Sequence, residues 1–147
     1  MTPAAQIAAL VAAAVNALAA GVGGLFWWRV EPSRAFWVLC RAGQAAGIVL
    51  AVVAGVLAVL GFDPGDRLFW LYALLPVAVS FVAEQLRLTS AQTVLDARGL
   101  EDARAMERLD EAGRRSVVRA IVRREMGVVS LGLGVVAFLA LRALATV

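Results

Sequence analysis

Long uncharged runs separated by polar breaks dominate the chain, and the first run is the longest. Ala4 to Trp28 is 25 residues without a charge, and Ala42 to Phe62 is another 21. A helix rises 1.5 Å per residue, so about 20 apolar residues cross the roughly 30 Å hydrocarbon layer of a bilayer. The second helix is expected to begin near Ala35, ahead of Arg41. Leu68 to Ala83 is short for a span, but continuing past Glu84 and Arg87 to Leu88 makes it long enough. Met126 to Leu141 lengthens in the same way past Arg142. The pattern predicts an all-α integral membrane protein with four transmembrane helices, over residues 4–28, 35–62, 67–88 and 126–147. No basic segment precedes the first run, which exceeds the roughly 7–15 apolar residues of a signal-peptide core. It is therefore expected to be a retained helix with its N-terminus translocated.

The breaks set the topology. Arg29 to Arg34 holds Pro32 and Ser33 and reads as a tight turn. Asp63-Pro64-Gly65-Asp66 reads as another, with Pro64 fixing one position, Gly65 tolerating positive φ and Asp66 placed to cap the third helix. Its two carboxylates are expected to serve the turn rather than a metal. Such short connections make successive helices antiparallel neighbours in an up-down bundle.

The third break differs in kind. Thr89 to Glu125 is 37 residues long and highly charged. Ser90 to Arg98 can continue the third helix until Gly99 stops it, and Leu100, Ala103, Met106 and Leu109 recur every three residues as a short apolar stripe. Gly113 is expected to break or kink the chain. Asp110/Arg114 and Glu111/Arg115 are spaced as i,i+4 ion pairs. Val118, Ile121 and Val122 mark one face beyond them, and Arg115, Arg119 and Arg123 another. These features predict a helical cytoplasmic insertion over residues 89–125, a hairpin that runs straight into the fourth span. It would pack on the end of the bundle or lie along the headgroups, within a single membrane domain of residues 1–147.

Charge placement orients the bundle. All 14 basic residues are arginine, and 12 of them fall in or beside the first and third connections, leaving only Arg67 and Arg142 on the other side. The positive-inside rule puts those two connections in the cytoplasm and both termini outside. Phe26, Trp27, Trp28, Phe36 and Trp37 mark the inner interface, and Phe62, Phe69, Trp70 and Tyr72 the outer one, as amphipathic rings prefer headgroup depth. The formal charge of +3 and pI near 10.4 thus need no nucleic acid. An Ala- and Gly-rich chain with arginine but no lysine fits a GC-rich bacterial genome, so the expected location is a bacterial plasma (inner) membrane.

Composition narrows the chemistry. The chain is 62% hydrophobic and 17% charged, against about 45–50% and 25% in soluble domains. There is no histidine, which removes the commonest metal ligand and the usual general base near neutral pH. Cys40 is the only cysteine, so intramolecular disulfides, CxxC redox pairs and thiolate cages are excluded. Without lysine there is no Schiff base and no P-loop. No catalytic residue, metal site or cofactor is expected.

Polar residues inside a membrane require partners, because an uncompensated charge there costs about 2.5–3.5 kcal/mol. Arg41 and Gln44 lie in the second span; Glu84 and Gln85 lie near the end of the third. Counted from the cytoplasmic ends, Arg41 is about 9 Å deep and Glu84 about 6 Å, so the two can pair across adjacent helices. With Asn16 in the first span, these residues are the candidates for a substrate or ion route; a lone amide such as Asn16 more often makes an interhelical hydrogen bond than an ion site. Gly43, Gly47, Ala51 and Gly55 form a small-residue row at spacing four, a candidate packing seam like the Ala5–Ala9–Ala13–Ala17–Gly21 row of the first span. Gly127, Ser130 and Gly134 give the fourth span a less regular stripe. Arg119, Arg123 and Arg124 are candidates for anionic lipid headgroups, and Pro76 is expected to kink the third helix.

In length and span number the chain resembles the small multidrug transporters, which are also short four-helix proteins. That group carries a glutamate in its first span; this chain has none there, and its third connection is longer, so no site residue carries over. Missing catalytic types and abundant packing surfaces point to a non-enzymatic assembly, accessory or interaction subunit, either homo-oligomeric or bound to another membrane protein. The competing expectation is a small oligomeric transporter or channel with a polar route near Arg41, Gln44 and Glu84.

Overall fold

In the computed structural model, which describes residues 2–147, four helices are long and apolar enough to cross a membrane. They are α1 (Thr2–Arg29), α2 (Arg34–Val59), α3 (Leu68–Leu88) and α5 (Glu111–Thr146). A short helix α4 (Ser90–Ala97) and a 3-10 helix (Ala103–Arg108) form the insertion between α3 and α5. The protein is an all-α, multi-pass membrane bundle. Around the ring, α1 packs on α2, α2 on α3, α3 on α5, and α5 back on α1, the α2–α3 seam being the thinnest. Leu10, Leu18, Ile48, Val52, Leu74, Phe81, Leu131 and Phe138 all stand outward. So large an apolar exterior is suited to lipid and not to water.

Each span buries a stripe that alternates steps of four and three. In α2 it runs Phe36, Cys40, Gly43, Gly47, Leu50, Ala54, Leu57. In α5 it includes Met126, Val129, Leu133, Val136, Ala140 and Ala143. In α1 it includes Ala5, Ala9, Ala12, Asn16, Ala19 and Gly23. A 3.5-residue period keeps one seam facing its neighbours along a left-handed bundle. The α1 stripe is nearly all Ala and Gly, so backbones approach closely, and association rests on dispersion contacts, there being no hydrophobic drive between helices in lipid. At Gly23 even a methyl group would overlap the Phe36 ring and the Ser130 hydroxyl.

Local bonds fix the helix ends. The second span stops at Val59 and not at residue 62, because Gly61 adopts φ 74° and the Phe62 and Gly61 amides donate to the Leu57 and Ala58 carbonyls. Such a left-handed residue closes a helix by satisfying its last carbonyls. The same pair of bonds ends α4 at Gly99, φ 68°. It also ends α1 at Val30, φ 56°, an unusual place for a β-branched side chain. Ser33 starts α2 by accepting from the Phe36 amide at 3.2 Å, and Asp66 accepts from the Leu68 amide at 2.9 Å to start α3. Pro76 lies inside α3, buried against Gly47, and the helix continues through it.

The insertion is helical, with three departures from its sequence pattern. α4 lies against α5, with Leu95 and Val117 buried and the Arg98 guanidinium donating to the Ser116 hydroxyl at 3.1 Å. The inward residue is thus Val117, while Val118 faces out. The stripe spaced by three residues contains the 3-10 helix, whose three residues per turn align such positions. Gly113 does not break the chain: it lies in the first turn of α5, and its amide donates to Asp110 at 2.8 Å. Asp110 is therefore a helix cap and not a partner of Arg114, which donates to the Leu109 carbonyl; the Glu111–Arg115 pair does form.

Candidate functional site

The polar groups of the bundle gather in two places, one toward its outer surface and one in its interior. The first is the end where α3 leaves the membrane beside the start of α2. One turn separates Glu84 from Arg87 on α3, and Arg41 projects from α2 across the thin α2–α3 seam. Glu84 Oε1 accepts from Arg87 Nη2 at 2.7 Å and from Arg41 Nη2 at 3.2 Å, while Arg41 Nη1 donates to Gln44 Oε1 at 2.7 Å. The Arg87 guanidinium also lies 5.3 Å over the Trp37 ring, a cation–π contact.

Exposure ranks the two arginines. The Glu84 and Arg87 side chains are each 23% exposed, whereas Arg41 is 60% exposed. Arg87 is thus the sheltered partner and Arg41 the outer one, reaching from the lipid-facing side. The depth of Arg41 and Glu84 in the sequence points to their meeting; Arg87 is not among the sequence candidates. Its signal was the i,i+3 spacing from Glu84, which places both on one helix face. Gln85 faces outward and takes no part in the cluster. One carboxylate between two guanidinium groups ties α2 to α3 where apolar packing is sparse.

The second place is the interior of the bundle. Asn16 is fully buried, and its amide nitrogen donates to the Ala12 carbonyl at 2.8 Å and to the Gly43 carbonyl of α2 at 2.9 Å. Gly43 makes that approach possible, since a Cβ there would lie 2.7 Å from Asn16 Oδ1 and 3.2 Å from Leu133 Cδ2. Here α1, α2 and α5 converge on one amide. Arg41 and Asn16 lie on different faces, one exposed and one buried, and no hydrogen bond joins them.

Of the small-residue row on α2, Gly43 and Gly47 are inside, Ala51 is half-buried, and Gly55 faces out with nothing within 4 Å of a Cβ placed on it. Steps of four residues drift about 40° around a helix, so the row leaves the seam before it ends. The grooves between spans are apolar. One of about 370 Å³ lies between α3 and α5, lined by Val79, Val82, Leu86, Val128, Leu131 and Val135 among others. Another, of about 520 Å³, lies between α1 and α5. Neither is bordered by Asn16, Arg41, Gln44, Glu84 or Gln85. Arg119, Arg123 and Arg124 are exposed on α5, and Arg123 lies 5.3 Å over the Trp27 ring. Cys40 is buried, and no group of three or more His, Cys, Asp or Glu placed to hold a metal occurs among the described residues. Compared with protein-family models, curated proteins and solved structures, the chain has no match.

Proposed function

We propose that the protein is a non-enzymatic subunit of a bacterial plasma membrane, acting in assembly or interaction with another membrane protein. Its arginine-rich end and insertion face the cytoplasm, and both termini face outside. The observation that carries this reading is the internal engagement of the intramembrane polar groups. Arg41 donates to Gln44 and to Glu84, and Asn16 donates to the backbone of α1 and α2. A permeation route needs polar groups that face a cavity, and the interhelical grooves are lined instead almost wholly by apolar residues, none of them Asn16, Arg41, Gln44 or Glu84. Engaged with one another or with the backbone, these side chains work as fasteners of the bundle. Twelve arginines at one end support the orientation.

Native mass spectrometry of the untagged protein, released gently from its own membrane, tests the proposal. A fixed-stoichiometry complex with a different membrane protein is the expected result. A homo-oligomer that retains a small solute would overturn it in favour of a transporter or channel.

A further inference from the structure

We infer that the groove between α1 and α5 is a binding site for one anionic phospholipid of the leaflet on the arginine-rich side. It goes beyond the interaction role and stands on separate observations. The groove encloses about 520 Å³ and is lined by Gly24, Trp27, Gly127, Val128, Ser130 and Leu131. That volume lies within the roughly 300–1,000 Å³ of ligand-binding clefts. Its walls are almost wholly apolar, which suits an acyl chain. It is open because two glycines face it. A Cβ on Gly24 would meet nothing within 4 Å, and on Gly127 the Trp27 indole leans to 2.9 Å from where a Cβ would stand.

Charge at the mouth identifies the ligand class. Arg123 lies one turn above Gly127 on α5 and stacks on Trp27, which is itself a groove wall. Arg119 lies a further turn up the same face. Both arginines are exposed, and neither forms an ion pair among the described residues. Arg115, next in that row, is engaged by Glu111. The neighbouring groove between α3 and α5 is lined by no arginine. The mouth of the α1–α5 groove thus carries two unspent cations side by side, and a phosphate at Arg119 and Arg123 would neutralise them.

Geometry favours an acyl chain over a helix. From Arg123 to Leu131 the groove descends about 12 Å along α5, within one leaflet of about 15 Å. A transmembrane helix would need a seat running on across the membrane. Beyond the groove, Phe138 and Leu141 stand outward, 60% and 52% exposed.

The test uses the purified protein in mixed micelles containing equal phosphatidylglycerol and phosphatidylcholine, with bound lipid read by native mass spectrometry. Wild type is expected to retain one phosphatidylglycerol in preference to phosphatidylcholine. Gly24→Leu sends a side chain into the groove from a position where the Cβ meets nothing within 4 Å, and should abolish retention. Gly55→Leu makes the equivalent change on an open face of α2 and should leave it intact. Replacing Arg119 and Arg123 by glutamine removes both charges, and with the second the stack on Trp27, and should weaken the preference about fivefold per arginine. Equal retention of both lipids by wild type, or unchanged retention by Gly24→Leu, would overturn the inference. So would a lipid-free dimer that Gly24→Leu dissociates, which would assign the groove to a second copy of the chain.

Discussion

Asn16 and Gly43 allow the packing of the bundle to be tested quantitatively. Gly43→Ala places a methyl group 2.7 Å from Asn16 Oδ1 and 3.2 Å from the tip of Leu133. Overpacking of this kind costs about 1–3 kcal/mol. Asn16→Ala removes the interhelical bond to Gly43, but the Gly43 and Ala12 carbonyls keep their helical partners, so neither is orphaned. Interhelical polar contacts in membranes average about 0.6 kcal/mol, with a maximum near 1.7, so the loss should be about 1 kcal/mol. In the double variant the amide is gone, the methyl group takes its space, and only the flexible Leu133 tip must shift. The two changes should therefore not add: the double variant should cost about as much as Asn16→Ala alone, a coupling of about 1–3 kcal/mol. Reversible unfolding in detergent, run as a four-member cycle, measures it. If the double variant costs the sum of the singles, Asn16 and Gly43 do not meet, and the central convergence of α1, α2 and α5 is wrong.

Two further outcomes follow from the polar cluster and the topology. Arg87→Gln should destabilise the bundle by about 1.5–3 kcal/mol, the range for a hydrogen bond to a charged group. Arg41→Gln should cost less than about 1 kcal/mol, as an exposed pair does; equal costs in the same unfolding assay would refute the ranking of the two partners. For orientation, a membrane-impermeant maleimide should label Gly65→Cys in whole cells but Glu101→Cys only after permeabilisation, against a silent background from the buried Cys40. The reverse pattern would invert the protein in the membrane, and labelling of both from outside would remove α3 as a span.

The spans are legible in the sequence because a run without charge of sufficient length has few other uses in a folded chain. Their ends are less so. The stop at Val59 depends on Gly61 turning left-handed while the hydropathy runs on through Phe62. The seams are the least legible part. Small residues occur on every face of α1 and α2, so a row at spacing four looks as good as the true 3.5-residue stripe until a neighbouring helix selects between them. Gly55 illustrates this, since it continues the row but has turned about 120° from Gly43. Among the polar candidates, depth alone brings Arg41 to Glu84. The larger role of Arg87 depends on how far each arginine is sheltered by Trp37 and the seam, which no linear count records.

α5 is one unbroken helix from Glu111 to Thr146, 36 residues and therefore about 54 Å. The bundle and the insertion thus share a single angular phase. Each residue along that rod advances the helix by about 100°, so the direction in which Arg119 and Arg123 point is set by the same register that turns Met126, Val129 and Leu133 inward. One residue added between Arg124 and Met126 would swing the whole apical face by about 100° relative to the membrane seam, carrying those arginines off the α1 side. Seven added residues would return it to within about 20° of its original bearing, roughly 10 Å higher. The spacing between the arginines and the span is therefore a compass setting, fixed by residue count rather than by any contact the insertion makes.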